Sequence, residues 1–436
     1  MAASVDTETA DSADAGTGTA SPESPHHRFL YIHAALVALF GSVFVLLWFL
    51  LFNVLNKTIW ENPSVTTNRW MFPVICLPLS LVVGLLVQYL KAPTNLDSSL
   101  VDSLTGDVTK IKWKRLPLTV VQSLVSLLSG AVLGPEGAIG HLASQIAAWY
   151  GEVFKIPVEE RPKLVFASVA AGYNGLLENP VFAAVLGTEL GSSKEATLRT
   201  LPASFIGGGV GYAVFAVAHM SGFANILKLP AVTSFQWGDI VLAVVMGLVG
   251  VVLAVLAGVL MEVSARIFGL FKDRIVLRAL LAGVIFSVVG YFAPLVMFSG
   301  ESQVHTVIAN AATYGVGVLL LMALVKLALL AVAFKSGYLG GPTFPVLFSS
   351  VCLSIALNTL FPSVSLTLMV AGVTAGALYV LFRAPLMVVL LTSFMLDAPV
   401  QMQGLIVLSV AVAMIVMQPL QRLIDARQAA GPADSR

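Results

Sequence analysis

Apolar residues run almost without interruption through seven stretches of the chain: 29–52, 70–90, 201–218, 238–261, 277–298, 315–334 and 402–420. Each is near the ~20 residues at which an α-helix crosses a hydrocarbon core of roughly 30 Å. Four shorter apolar pieces lie between them, at 138–150, 180–190, 343–358 and 384–396. Helices that short do not span alone, so these pieces are expected as half-helices packed within protein. The pattern predicts an all-α polytopic membrane protein in which full spans alternate with broken ones.

Composition sharpens this picture. The chain of 436 residues is 58% hydrophobic and 11% charged, less than half the roughly 25% charge of soluble domains. A net charge of +1 offers no footprint for nucleic acid. Residues 1–27 are rich in Ala, Ser, Thr, Asp and Gly and read as a disordered tail without a cleavable signal. Residues 429–436 form a short polar tail. Cys76 and Cys352 lie inside apolar segments and read as small buried hydrophobes, and the histidines show no metal-ligand spacing. No metal or cofactor is expected. An enzyme of the membrane interior is not supported either: Asp239 and Asp397 stand alone near segment ends, and no G-x-S-x-G occurs.

Basic residues orient the chain. Lys110, Lys112, Lys114 and Arg115 form one cluster, Lys272, Arg274 and Arg278 another, and Arg422 and Arg427 follow the last span. By the positive-inside rule all three face the cytoplasm, as do both termini. The loops 55–69 and 224–237 are then external. The second of these divides residues 28–428 into halves of about 28–223 and 238–428.

Each half contains the same phrase. Residues 129–136 read S-G-x-x-x-G-P-E and residues 336–343 read S-G-x-x-x-G-P-T, an offset of 207 residues. Glycines and a proline end one apolar segment and open the next, which within a bilayer means a helix broken at depth. Such backbone is tolerated only where it is buried in protein or lines a polar cavity, and paired breaks in two halves point to a solute site between inverted repeats. A helix that starts at such a break leaves its first N–H groups unpaired and carries the positive end of its dipole, so it attracts an anion. Glu136 stands at such a start, where a carboxylate is the protein's own anion. A helix-capping acid with a purely structural role is the alternative reading, and Thr343 at the matching position of the second copy weighs against it. The two breaks are expected to meet in opposite orientation.

These residues resemble the CLC family of chloride channels and proton–chloride exchangers. Gly134-Pro135-Glu136-Gly137-Ala138 is similar to the family loop G-(K/R)-E-G-P, and Gly340-Gly341-Pro342-Thr343-Phe344-Pro345 to the loop G-G-x-F-x-P. Ala170-Ala171-Gly172, then Asn179-Pro180 and Glu189, resemble the A-A-G…N-A-P…E-E stretch between them. The resemblance covers about residues 30–425 and is of the bacterial type without C-terminal CBS domains. It implies a CLC-like inverted-repeat fold, a homodimer in a lipid bilayer with a pore in each protomer, a gating glutamate at Glu136, and chloride or a related small anion as the solute, with protons as a candidate second one. The bacterial inner membrane is the implied location.

The departures bear on function. The family serine of the first anion-binding loop falls on Asn95, and the central tyrosine falls on Gln421 in Pro419-Leu420-Gln421. Pro135 replaces a basic residue, and Pro342 replaces an apolar one whose backbone N–H faces the anion. Proline has no N–H, although proline is also favoured at the first helical position for backbone reasons alone. The anion-binding set implied by the resemblance is therefore Asn95, Gly137, Ala138, Thr343, Phe344 and Gln421. The internal glutamate that relays protons in the best-known exchangers falls on Leu190, which carries no proton. That favours a channel or weak proton coupling, with proton-coupled exchange of chloride or fluoride as the alternative and a transport-inactive homologue as a third reading. His141, Glu178, Glu301 and Phe348 are expected to be structural or interfacial.

Overall fold

A computed structural model describes residues 26–95, 111–177, 179–182, 185, 189, 194–220, 226–230, 232, 234 and 236–429 of the chain. Among these residues the structure is helical, with no strand beyond one isolated bridge. The first half runs through α1 (His26–Trp60), α2 (Met71–Leu90), α3 (Leu116–Leu128), α4 (Glu136–Val153), α5 (Arg161–Leu177) and α6 (Lys194–Val217). The second half runs through α7 (Trp237–Gly269), α8 (Ile275–Phe292), α9 (Glu301–Ala309), α10 (Val316–Lys335), α11 (Thr343–Leu360), α12 (Leu366–Phe382), α13 (Pro385–Met395) and α14 (Val400–Ala429).

The ends of these helices follow local chemistry. A reciprocal capping box starts α7, in which the Asp239 carboxylate accepts the Gln236 N–H at 2.8 Å. Proline occupies the first turns of α3 and α13, where no N–H is needed. Left-handed residues end α2 at Lys91 and α12 at Arg383.

The two halves share one plan. Helices α1, α2, α4, α5 and α6 recur about 205 residues later as α7, α8, α11, α12 and α14, and the pairings recur with them. As α1 packs on α5 and α6, so α7 packs on α12 and α14. The equivalent helices α2 and α8 pack on each other, as expected when two repeats are related by an axis between them.

Eight of the described helices are long and apolar enough to cross a bilayer. Seven of them include the stretches read from the sequence, with revised ends. The run expected over 277–298 stops at Phe292, because the chain turns through 293–300. The eighth is α11, expected as a short piece over 343–358. It has 18 residues and suffices by length, yet 72% of its apolar window is buried, against 33–50% in the other seven. It is an interior helix wrapped by protein. Likewise α4 extends to 18 residues and is almost wholly buried. Helices α3 and α5 lack a sequence expectation, because Ser, Thr, Gln and Gly on their buried faces interrupt the apolar pattern; α12 lacks one although its 17 residues form an apolar run. Exposed apolar surface falls instead on α1, α7 and α8, where Phe, Leu and Val side chains stand out from the chain.

Candidate functional site

The two helix breaks meet. Gly134 and Gly341, 207 residues apart, exchange both backbone hydrogen bonds at 2.7 Å and form an antiparallel bridge. Gly130 and Gly337, at the same offset, both adopt left-handed backbone (φ +83° and +98°), which lets each helix turn out of its axis. The opposite sense of the strands is the backbone signature of an inverted pair.

From this crossing α4 begins at Glu136 and α11 begins at Thr343, each preceded by its proline at the N-cap. Pro135 and Pro342 thus sit one position before the first helical residue. The first free N–H of α11 belongs to Thr343, and it donates to Glu136 Oε1 at 2.6 Å. The Thr343 hydroxyl and the Phe344 N–H also bond the carboxylate. The other oxygen, Oε2, is buried without a hydrogen-bond partner. The side chain of one repeat is therefore seated on the helix start of the other, where backbone donors and the helix dipole favour negative charge. Two glycines make room for it. A Cβ on Gly341 would lie 2.1 Å from Glu136 Cγ, and one on Gly134 would lie 1.9 Å from Oε2.

Other expected site residues gather here. The Asn95 amide oxygen accepts the Gly340 N–H at 3.2 Å, and its backbone N–H donates to Tyr338 O at 3.1 Å. Its Nδ2 is buried without a partner, a free donor beside the second break. Ala138 is fully buried, and Gly137 presses against the Gly340 backbone, so close approach alone requires glycine there. Phe344 and Phe348 are buried along α11, as is His141 along α4. Gln421 lies on α14 with its side chain outside the described residues, and Leu190 and Glu178 lie outside them altogether. Glu189 is committed elsewhere: its two oxygens accept the Leu386 and Met387 N–H groups at 2.8 Å each and cap α13. Among the described residues no group of His, Cys, Asp and Glu is placed to hold a metal.

Three side chains escaped the sequence reading. The Tyr173 hydroxyl on α5 donates to the Glu136 carbonyl oxygen at 2.9 Å. Its signal was the tyrosine following Ala170-Ala171-Gly172. Gln122 on α3 is fully buried and donates to the Gly337 carbonyl at 3.0 Å. Lys326 is fully buried in the middle of α10, and a lone lysine within the apolar run 315–334 was a legible signal for it. Glu301, at the start of α9, has one buried oxygen without a hydrogen-bond partner. Burial pushes its carboxyl up to about 8, with Glu136 adding to the rise and Lys326 opposing it.

The fold and this crossing define a multi-pass integral membrane protein of the broken-helix, inverted-repeat class. Residues 79–418 match the family model of voltage-gated chloride channels, and the chain belongs to that family, whose members transport anions. The YfeO ion-transport proteins of Shigella flexneri and of Escherichia coli (strain K12 / DH10B) are each 22% identical over 371 residues, which cover 83% of this chain and 87% of theirs. In three dimensions the chain is similar to a slow cyanobacterial chloride/proton antiporter, with a TM-score of 0.72 at 18% identity over 92% of this chain and 98% of that one. A CLC-type fluoride/proton antiporter matches with a TM-score of 0.71 at 19% identity over the same shares.

Proposed function

We propose that the protein moves chloride through a pathway gated by the Glu136 carboxylate. The observation that carries this reading is the seat of that carboxylate on the α11 N-terminus, bonded to the Thr343 N–H at 2.6 Å. A site that holds a carboxylate by backbone donors holds a halide by the same donors. Protonation of Glu136 removes the charge that keeps it seated, so acid opens the path and the departing side chain leaves Thr343 N–H, Thr343 Oγ, Phe344 N–H and Asn95 Nδ2 for the solute. The α4 helix start adds Gly137 and Ala138, and Gln421 is the further ligand that the family register suggests.

Conduction with little proton movement is the version this chain supports. Leu190 stands where a proton-relaying glutamate would be needed, and Glu189 is occupied in capping α13. Proline at both breaks withholds a backbone donor, and a charge-assisted hydrogen bond contributes about 1.5–3 kcal/mol. Weak binding follows, which suits release of the ion. In this reading the protein is a homodimer in the bacterial inner membrane, both termini are cytoplasmic, and each protomer holds its own pore.

The test is purified protein in liposomes under an imposed chloride gradient, with anion flux and pH recorded together. Chloride flux with no uphill proton movement is the expected result. Proton movement against its gradient at a fixed stoichiometry, with chloride or fluoride, establishes the exchanger instead. Absence of flux for every halide overturns both and leaves a transport-inactive homologue.

A further inference from the structure

A groove opens where α1, α4 and the entry to α3 come together, and the Glu136 seat uses none of it. Its volume is about 580 Å³, and it is lined by Phe40 and Phe44 of α1, Trp113 and Lys114 ahead of α3, and Ile146 and Trp149 of α4. The walls are apolar and aromatic, and a cation stands at the rim. Phe40 meets Trp149 edge-on at 6.4 Å, and the Lys114 ammonium lies 5.9 Å from the centre of the Trp113 ring. The Trp113 indole N–H donates to Glu152 Oε2 at 2.6 Å, which fixes the ring and commits that carboxylate. Lys112 and Lys114 are exposed, and among the described residues no carboxylate comes within ion-pair distance of Lys114.

The groove lies at a membrane edge. The span of α2 ends at Leu90, and the Arg115 guanidinium donates to the Lys91 carbonyl just beyond it at 2.9 Å. The turn Lys112-Trp113-Lys114-Arg115 therefore sits at the level where α2 leaves the apolar layer. Ten residues of α4 separate Ile146 from Glu136, a rise of about 15 Å, half of a ~30 Å hydrocarbon core. The slot is thus about one leaflet deep when the first break lies at mid-membrane. Tryptophan gathers at such edges because its ring is apolar with a polar tip, and clustered Lys and Arg there attract anionic headgroups. Apolar walls one leaflet deep with exposed lysines at the mouth complement one component of the surrounding bilayer, a phospholipid of negative headgroup.

We propose that this groove binds an anionic phospholipid of the bilayer, its acyl chain against Phe40, Phe44 and Trp149 and its phosphate on Lys114. The bound lipid braces α3 and α4, the helices on either side of the first break. Binding is read without transport, so the result stands apart from the reading of the Glu136 seat. The full chain is reconstituted in phosphatidylcholine liposomes with increasing fractions of brominated phosphatidylglycerol or brominated phosphatidylcholine. Quenching of Trp149 is the difference between wild type and Trp149→Phe. Phosphatidylglycerol is expected to reach half-maximal quenching at about five-fold lower content than phosphatidylcholine, the effect of one lysine beside an anionic headgroup. Lys114→Gln is expected to remove that preference, and Lys114→Arg to keep it within about two-fold, since it keeps the charge. Lys272→Gln, in the other basic cluster, is expected to leave it unchanged. Equal quenching by the two lipids, or a preference that survives Lys114→Gln, overturns the proposal. So does an equal loss in Lys272→Gln, which assigns the preference to the charge of the whole membrane face. Should Trp149→Phe not fold, native mass spectrometry of wild type and Lys114→Gln carries the test. A phosphatidylglycerol adduct kept by wild type and lost from Lys114→Gln is expected, and the same adduct on both overturns the proposal.

Discussion

The two helix breaks share a backbone and differ in what they hold. Both turn at a left-handed glycine, both bridge through a glycine 207 residues from its counterpart, and both start a helix behind a proline. The first break carries the carboxylate and is packed mainly by apolar groups, with Trp60 donating to the Leu128 carbonyl behind it and Met297 beside Gly130. The second break receives the carboxylate and is pinned by polar side chains. Gln122 bonds Gly337 O, Ser126 receives the Leu339 N–H, Asn95 receives the Gly340 N–H, and the Tyr338 hydroxyl donates to Ser80. One break thus supplies a carboxylate and the other a cradle of polar contacts that receives it. The difference shows how a duplicated backbone becomes asymmetric: the repeat supplies two equivalent helix starts, and the Glu136 carboxylate makes one of them ligand to the other.

The largest expected effect comes from removing the charge. Glu136→Gln is expected to change chloride flux more than ten-fold and to flatten the acid activation proposed for the wild type, read as liposome flux between pH 5 and pH 8. Wild-type flux with an intact pH response would end the account of the first break as a gate. Gly341→Ala breaks the cradle instead. A Cβ at 2.1 Å from Glu136 Cγ displaces the carboxylate without altering its chemistry, so this variant is expected to reproduce most of the Glu136→Gln phenotype. Normal pH dependence in it would show that seating at the second break is irrelevant to gating.

Asn95→Ala comes next. It removes the unpartnered Nδ2 and is expected to raise half-saturating chloride roughly ten-fold, the loss of one hydrogen bond to a charged group. Equal saturation curves would exclude Asn95 as a ligand. Gln122→Leu addresses rigidity rather than binding. It strands the buried Gly337 carbonyl at a cost of about 1–3 kcal/mol, so the thermal midpoint in detergent should fall by several degrees while the anion preference stays. Tyr173→Phe is the mildest. It frees the Glu136 carbonyl from one hydroxyl, and a two- to three-fold change in flux at fixed pH is expected, with half-saturation unmoved.

Much of this was legible in the chain. Spans came through because a membrane helix satisfies its own backbone and advertises itself by apolar length alone. The two breaks came through because glycine and proline announce backbone that cannot continue a helix, and because the phrase occurs twice. Asn95 was singled out by its register with the first anion-binding loop of the family, and the structure places it beside the second break. Helices α3 and α5 were not legible, since buried faces inside a membrane protein carry Ser, Thr and Gln wherever neighbouring backbone satisfies them, whereas α12 is an apolar run of 17 residues and was legible in its composition. Helix α11 ends two residues beyond the expected 358, and its expected packing within protein agrees with the 72% burial of its apolar window.

By itself the sequence determined the class of element, the position of the two breaks and the identity of the charge at one of them, because these depend on local covalent chemistry. Only the tertiary structure decided that the carboxylate of the first break is bonded to the helix start of the second, that Glu189 is spent on a helix cap, and that the Lys326 amine donates to the Met297 and Phe298 carbonyls. Each of those facts is a distance between groups far apart in the chain, and the energy of a buried charge is fixed by what lies within a few ångströms of it rather than by its neighbours in sequence.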